Sequence, residues 1–298
     1  MMFTLFTNFR PHTDPYFSVL EKYKDKPITF FYDYLPQNIE QLRINPYNFI
    51  MLHEPNEFFG MHSWVKNNYN LFTGILTWNE EILTTCPNTI LFTCNYQQDS
   101  KEYYGLFKDK EKKFEISFLS GVKTITEGHR FRNQIYNIKD DVSIPKKWFH
   151  TLEDFDTTTN VRPGYGDYSK DLSHIPEYLK SSPQVFGKRI CFEDPMFHVC
   201  IENVRHDNWY TEKIGEAFCT KTVPIYWGCP NIGEYYDERG IITFETKEEL
   251  LDIVNNLTPE KYHEMKPYVN YNYEIALLDS FNNKLDNIFS EVISLNNI

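Results

Sequence analysis

Paired cysteines, long apolar runs and basic charge are all scarce in this sequence. The 298 residues include six cysteines but no Cys-x-x-Cys pair, and no His or Cys spacing typical of a zinc site. The cysteines lie mostly in apolar stretches, which indicates buried free thiols in a reducing compartment. No run approaches the roughly 18 apolar residues of a membrane span, and the N-terminus lacks signal-peptide features. We therefore expect a cytoplasmic protein without a transmembrane segment.

The charge balance is acidic, with 42 Asp and Glu residues against 30 Lys and Arg, a formal net charge of -12. Nucleic-acid-binding proteins normally present a basic face, so we expect no nucleic-acid partner, although a local basic pocket for a nucleotide remains compatible with this balance. Hydrophobic residues make up 41% of the chain and aromatic residues 17%. This composition predicts a packed core, and the length suits two domains.

Strand-like and helix-like segments alternate along the chain, which predicts an α/β fold with doubly wound sheets. Clear strand patterns occur at residues 28–32, 48–52, 89–94 and 114–119. The charged run 108–113 reads as a solvated linker. We therefore expect one α/β domain over residues 1–112 and a second over residues 113–298.

The most informative stretch, residues 197–236, predicts a strand, a helix and a second strand. Phe197, Val199 and Ile201 alternate with His198 and Cys200, which is typical of a strand. A helix with one apolar face follows, and then a second strand over residues 223–227. Such a unit places its two strands in parallel, and ligands bind beyond their carboxyl ends.

Polar residues gather at that predicted edge. Glu202 and Asn203 follow the first strand, and Thr211, Glu212 and Lys213 open the helix. A helix start attracts anions such as a pyrophosphate, and Lys213 adds a full charge. Glu212 has two interpretations from the residues alone: a locally favoured helix-start carboxylate, or an acceptor for sugar or ribose hydroxyls.

This stretch resembles the donor-binding signature of glycosyltransferase family 10, the α-1,3/4-fucosyltransferases. The resemblance rests on Glu202-Asn203, on residues 210–213 (Tyr-Thr-Glu-Lys) and on residues 223–228 (Val-Pro-Ile-Tyr-Trp-Gly). Ile201 stands where the family has Phe, and Trp209 stands where it has Tyr. The resemblance implies a GT-B-like fold, with two Rossmann-like domains facing a cleft and a C-terminal helix packing back. Without an N-terminal anchor, the chain suits a viral or bacterial cytoplasmic type.

The resemblance also assigns candidate roles. Glu54, after the strand at residues 48–52, matches the family's proposed general base, with Glu57 and His53 as the other candidates. Ser120 matches the end of a donor-domain strand, and Arg132 matches an arginine expected to pair with phosphate. The remaining donor-binding candidates are Glu202, Asn203, Trp209, Tyr210, Thr211, Glu212 and Lys213, with Trp209 or Tyr210 stacking on base or sugar. Trp227 reads as core.

We therefore expect an inverting glycosyltransferase that moves fucose from GDP-fucose to a glycan hydroxyl. No cofactor and no metal are expected, and Asp154 with Asp156 is the pair that would contradict this. One alternative is an inverting transferase for another nucleotide sugar, and another is a non-catalytic nucleotide- or carbohydrate-binding module. The acidic charge disfavours an enzyme that glucosylates DNA. Acceptor, linkage and oligomeric state are left open.

Overall fold

The computed structural model of the chain describes residues 2–8, 15–93, 110–121, 123–151 and 191–296. The chain forms two compact units. The first comprises Met1–Tyr96, His206–Trp209 and Asp279–Ile298, and the second comprises Gln97–Arg205 and Tyr210–Leu278. The units therefore do not follow one cut near residue 112, because two later segments of the chain belong to the first unit.

The first unit is built on a five-stranded parallel sheet in which strands adjacent in the chain are adjacent in space. Its strands are β1 (Thr4–Thr7), β2 (Ile28–Tyr32), β3 (Tyr47–Leu52), β4 (Gly74–Thr77) and β5 (Thr89–Leu91). Every residue of β2 and β4 is buried. Near-continuous apolar strands of this kind are expected in a parallel sheet that is covered on both faces.

Helices cover both faces of the first sheet. Its helices are α1 (Ile39–Leu42), α2 (Asn56–Phe59), α3 (His62–Asn67) and α4 (Glu80–Thr85), with 3-10 turns at Pro15–Tyr23 and Tyr69–Leu71. One core joins α3 and α4 to β2, β3 and β4. The other face packs on the C-terminal segment through Phe281, Leu285 and Phe289, which recur every four residues and are fully buried.

The second unit is also built on a five-stranded parallel sheet, but its strand order reverses. The strands are β6 (Lys113–Gly121), β7 (Lys146–Thr151), β8 (Pro195–Ile201), β9 (Val223–Trp227) and β10 (Ile242–Thr243). Their spatial order is β10-β9-β8-β6-β7. The chain therefore moves outward from β6 to β7 and then continues on the other side of β6, at β8.

The helices of the remaining chain complete the fold. They are α5 (Glu127–Tyr136), α6 (Glu212–Cys219), α7 (Lys247–Asn255), α8 (Pro259–Leu278) and α9 (Phe281–Asn296), with 3-10 turns at Lys139–Asp141, Ile232–Glu234 and Glu238–Gly240. Helices α5 to α8 belong to the second unit and α9 to the first. Among the helices described, none combines the length and apolar character needed to cross a bilayer.

Two local predictions are wrong. The run 108–113 is not simply a solvated linker: Lys112 is buried, and Lys113 already belongs to β6. Lys112 Nζ donates to the carbonyl oxygens of Phe192 (2.7 Å) and Glu193 (2.8 Å) and to Thr222 Oγ1 (3.0 Å), and these acceptors compensate for its burial. The apolar spacing of residues 271–293 predicts a single closing helix, but this segment is divided, because α8 ends at Leu278 and α9 begins at Phe281.

Candidate active site

The strand reversal in the second unit lies between β6 and β8, which are hydrogen-bonded neighbours. In open parallel sheets, a reversal of strand order leaves a crevice at the carboxyl ends of the strands, where ligands bind. Ser120 is buried near the end of β6, and Glu202 and Asn203 follow β8. Helices α5 and α6 follow β6 and β8 along the chain. The structure therefore brings Ser120, Glu202 and Asn203 to this edge.

Glu202 holds the start of helix α6. Its side chain is fully buried; Oε1 accepts the Thr211 backbone N–H at 2.9 Å and Oε2 accepts the Thr211 hydroxyl at 2.7 Å. Oε2 also lies 3.2 Å from Lys213 Nζ. A buried carboxylate needs such partners. Glu202 therefore orders the loop that leads into α6, and Thr211 is occupied by this contact.

Lys213 and Glu212 lie in the first turn of α6, and each side chain is 19% exposed. The Lys213 ammonium donates to Thr211 Oγ1 at 2.8 Å and lies 3.5 Å from Glu212 Oε1. Its position between Glu202 and Glu212 fixes the ammonium at the helix start. The structure thus brings together Glu202, Thr211, Glu212 and Lys213.

Arg132, on helix α5, contacts the same strand end. Its Nη1 donates to the Ile201 carbonyl and its Nη2 donates to Asn203 Oδ1, each at 2.7 Å. These two bonds orient a guanidinium, which has five N–H donors in a planar fork, at the end of β8. Arg132 and Asn203 are therefore joined directly.

His129 is buried among cations at this edge. Burial and the nearby charges of Arg132, Lys123, Lys213 and Arg130 lower the pKa of His129 to about 3. The neutral ring helps to cap helix α5: the Thr126 backbone N–H lies 3.3 Å from His129 Nδ1, and the Thr126 side chain accepts from the His129 backbone. An acidic chain thus gathers cations at one strand edge, which is what binding an anion requires.

Helix α5 can approach this edge closely because residue 128 is glycine. The Gly128 N–H donates to the Asn203 carbonyl at 2.8 Å. A Cβ atom at this position would meet the Glu202 carbonyl oxygen at 1.8 Å. Sequence reasoning missed both Gly128 and His129, although a glycine in the first turn of a predicted helix is a signal for close backbone approach.

Trp209 and Tyr210 differ from the prediction that one of them stacks on a ligand. Both side chains are buried. Trp209 belongs to the first unit, where its Nε1 donates to the His53 carbonyl at 3.1 Å. Tyr210 belongs to the second unit and packs against Tyr235 and Tyr236. Each ring therefore serves as core, as Trp227 does.

The first unit collects acidic groups at the carboxyl edge of its sheet. Asp33 follows β2, and Glu54 follows β3 by two residues and is half-buried. Glu57, in α2, is more exposed, and its Oε1 lies 3.2 Å from His206 Nε2. Asp33 was missed by sequence reasoning, since one acid after a predicted strand resembles any surface residue. Glu54 lies where an α/β enzyme places reactive groups.

A metal centre is not evident in the described part of the chain, where no group of three or more His, Cys, Asp or Glu side chains is arranged to hold an ion. Asp154 and Asp156 lie outside the described residues.

Comparison with known proteins gives a short sequence match. No family model matches the chain. The α-(1,3)-fucosyltransferase FucT of Helicobacter pylori is 31% identical over 68 residues, which span 22% of this chain and 14% of that enzyme.

Solved structures show a much longer likeness. The crystal structure of an α1,3-fucosyltransferase with GDP-fucose aligns with a TM-score of 0.53 and 16% identity, covering 89% of this chain and 81% of that one. A trehalose-6-phosphate synthase, studied for glycosyl transfer with retention, aligns with a TM-score of 0.60 and 10% identity, covering 93% and 76%. The chain therefore shares the two-sheet α/β fold of these sugar-transferring enzymes.

Proposed function

We propose that this chain is a glycosyltransferase that moves fucose from GDP-fucose to a hydroxyl of a glycan acceptor. The observation that carries the proposal is the cationic edge of the second sheet: Arg132 and Lys213 are fixed at the strand reversal, in a chain whose net charge is -12. The likeness to a fucosyltransferase crystallised with GDP-fucose supports the choice of donor.

The donor is held by its diphosphate in this proposal. Arg132 pairs with phosphate oxygens through its planar fork, Lys213 adds a point charge, and the start of α6 adds a helix dipole. Glu212 accepts hydrogen bonds from hydroxyls of the ribose or the sugar. Glu202 does not contact the donor, because its carboxylate is fully buried against Thr211 and Lys213. Its role is to fix those two residues.

Glu54 is the proposed general base. The acceptor oxygen forms a bond to the anomeric carbon of fucose while the bond from that carbon to the diphosphate oxygen breaks. The acceptor proton passes to the Glu54 carboxylate, and GDP leaves with the electron pair. Arg132 and Lys213 stabilise the charge that develops on the diphosphate. A single displacement of this kind inverts the anomeric configuration. That the two domains face a cleft stays a prediction.

Binding of the donor is tested by thermal unfolding in EDTA with GDP, GDP-fucose, UDP and ADP. A ligand at a hundred times its Kd raises the free energy of unfolding by about 2.7 kcal/mol. We expect stabilisation by GDP and GDP-fucose, and its loss in Arg132→Ala. Arg239→Ala is the matched control, because Arg239 is exposed and pairs with Asp237 elsewhere in the second unit. Stabilisation by UDP alone would change the donor, and no stabilisation by any nucleotide would overturn the donor site.

Transfer itself is tested by incubating the chain with GDP-fucose and a panel of glycans and reading the product anomer by NMR. We expect a β-linked donor to give an α-linked product without added metal. A product that retains the donor configuration would contradict the single displacement and favour the chemistry of the trehalose-6-phosphate synthase neighbour. Nucleotide binding without any transfer would favour a non-catalytic binding module.

A further inference from the structure

The backbone N–H groups that lead to Glu54 are held by one buried carboxyl. Asp33 Oδ1 accepts the N–H of His53 at 2.8 Å, and both Asp33 oxygens accept the N–H of Glu54 at 3.1 Å. Asp33 is fully buried. Backbone N–H groups just beyond a strand end ordinarily donate to water. Here a buried side chain accepts both of them instead.

The backbone carbonyls of the same dipeptide are held from the other side. Trp78 Nε1 donates to the His53 carbonyl at 2.8 Å, and Trp209 Nε1 donates to the same oxygen at 3.1 Å. The His62 ring hydrogen-bonds to the backbone of Glu54. Side chains therefore hold both N–H groups and the His53 carbonyl, and the His62 ring contacts the Glu54 backbone.

The backbone of Asp33 lies in the left-handed region, with a φ of 44°. Aspartate adopts this region more readily than most residues other than glycine. In this conformation the Asp33 carboxyl accepts the backbone N–H groups of His53 and Glu54, the residue proposed as base.

The carboxyl of Asp33 is also electrostatically linked to Glu54. Burial, and then the charge of Glu54, raise the pKa of Asp33 well above its ordinary value. The other titratable groups near this strand end are His53, His62 and, acting on His62, Glu57, His206 and Glu81. The Asp33 carboxyl therefore keeps its proton beside the charged Glu54 carboxylate, and the two groups titrate as a pair.

We infer that Asp33 is a positioning residue for Glu54: its carboxyl fixes the backbone that presents the base to the acceptor hydroxyl. This inference rests on the proposed function, in which Glu54 takes the acceptor proton. Misplacing a catalytic group by about 1 Å can cost about a hundredfold in rate. The Asp33 contact acts on the geometry of the base and leaves both substrates untouched.

Asp33→Asn is the first test, because the amide keeps one acceptor oxygen and puts an NH₂ group against a backbone N–H. We expect kcat to fall by about ten- to a hundredfold, with the KM values for donor and acceptor within about twofold of the parent. The matched control is Asn45→Ala. Asn45 is buried at the opposite edge of the same sheet, where Nδ2 donates to the carbonyls of Ile28 (3.1 Å) and Met2 (3.0 Å). We expect this control to lower the Tm and keep kcat.

The pH profile separates a positional effect of Asp33 from an electrostatic one. The acid limb of kcat should stay in place in Asp33→Asn, because the raised pKa keeps the Asp33 carboxyl protonated, and so as neutral as the amide, while Glu54 ionises. We therefore expect a loss of kcat that is equal at every pH. Asp33→Asn with unchanged kcat would overturn the inference, as would a loss explained by a shifted acid limb or an equal loss of kcat in Asn45→Ala.

A second pair of variants keeps the test decisive if Asp33→Asn does not fold. His62→Asn retains a polar donor in place of the ring, whereas His62→Leu removes it. We expect Asn to restore most of the kcat that Leu loses. Equal kcat in both variants would count against a positioned backbone at Glu54. Glu54→Gln distinguishes the two proposals: if it retains full activity, the base assignment fails, whereas if it is inactive while the Asp33 and His62 variants are normal, only this inference fails.

Discussion

The carboxyl edges of the two sheets hold different charged groups. In the first unit this edge holds Glu54 and Glu57, with Asp33 buried beside Glu54. In the second unit it holds Arg132 and Lys213 together with Glu202 and Glu212, and burial and the nearby cations lower the pKa of His129 to about 3. Both sheets are parallel and five-stranded, so the architecture alone does not decide the chemistry. In the proposed function this difference corresponds to a division of work, with proton transfer at the first edge and anion binding at the second.

The two sheets also differ in strand order. The first sheet runs β1 to β5 without reversal, and the strand end at His53 and Glu54 is filled by side chains of its own unit. The second sheet reverses between β6 and β8, and cations gather at that point. A reversal leaves room for a ligand. In our proposal the filled strand end of the first sheet positions Glu54.

Glu54→Gln should give the largest effect. The amide cannot accept the acceptor proton, so we expect kcat to fall about a hundredfold to ten-thousandfold, with unchanged affinity for GDP. Glu57→Gln is the control, since Glu57 lies on the same edge and pairs with His206. Steady-state kinetics and calorimetry measure the two quantities. A Glu54→Gln variant that loses GDP affinity as much as activity would break the division between the two edges.

Gly128→Ala should distort the strand edge that carries Arg132 and Lys213 through a steric clash. The new methyl group would overlap the Glu202 carbonyl oxygen, and backbone at that point cannot move aside easily. We expect the free energy of unfolding to fall by about 3 kcal/mol, together with weaker GDP binding. Gly60→Ala is the control: its φ of 64° is strained for alanine, but no atom lies within 4 Å. We expect it to cost about 1 kcal/mol and to leave GDP binding intact. Urea unfolding measures the free energy of unfolding of both variants. Equal losses in Gly128→Ala and Gly60→Ala would contradict the close approach at Gly128.

Lys112→Met tests whether a lysine far from the carboxyl edge of the second sheet contributes to GDP binding. Lys112 precedes β6, at the amino edge of the sheet, and the substitution leaves the carbonyls of Phe192 and Glu193 without its ammonium. We expect a loss of about 2 kcal/mol in the free energy of unfolding, with GDP affinity unchanged. A weakened GDP complex would show that the positive charge is not confined to the carboxyl edge.

The pH dependence of Lys112 has a definite sign. Burial lowers the pKa of Lys112 from 10.5 to about 7. Between these values the unfolded chain binds a proton that the folded chain does not, so stability rises with pH. The parent should therefore gain stability relative to Lys112→Met from about pH 7 to 10, by at most about 1.4 kcal/mol per pH unit. A difference that stays constant over this range would show that the buried amine keeps its proton, as the amine of the unfolded chain does.

Sequence periodicity predicted much of the fold. The strands near residues 28–32, 48–52, 197–201 and 223–227 and the helix between the last two are confirmed within a residue or two. These segments are buried on both sides, so their pattern is decided locally. Strand β7 was missed, because Lys146 and Lys147 open it with polar residues.

The features that could not be predicted from the sequence depend on contacts between residues far apart in the chain. Trp209 resembles a ligand-stacking aromatic by position, yet its partner is the carbonyl of His53, 156 residues away in the chain. Lys112 resembles a surface lysine until Phe192 and Thr222 are placed beside it. The contact of Asp33 with His53 becomes evident only in the structure, where the pairing of β2 with β3 places the two residues side by side. The periodicity of a sequence indicates which face of a helix or strand is buried. It does not indicate which side chains of other elements that face will contact.

The smallest effect is expected at His129, and it probes the charge of the second edge directly. His129→Gln preserves an acceptor for the Thr126 N–H, as Gln does in an ordinary capping box, so the variant should lie within about 0.5 kcal/mol of the parent at pH 7. Because the folded pKa of about 3 lies below the ordinary 6.5, the unfolded chain takes up a proton first as the pH falls. The parent should therefore lose stability relative to His129→Gln between pH 6.5 and 3, and urea unfolding across that range measures the difference. Saturating GDP should reduce this loss, because a bound diphosphate offsets the cations that, together with burial, keep His129 neutral. A loss that saturating GDP leaves unchanged would mean that burial alone keeps the ring neutral and that no diphosphate binds beside it.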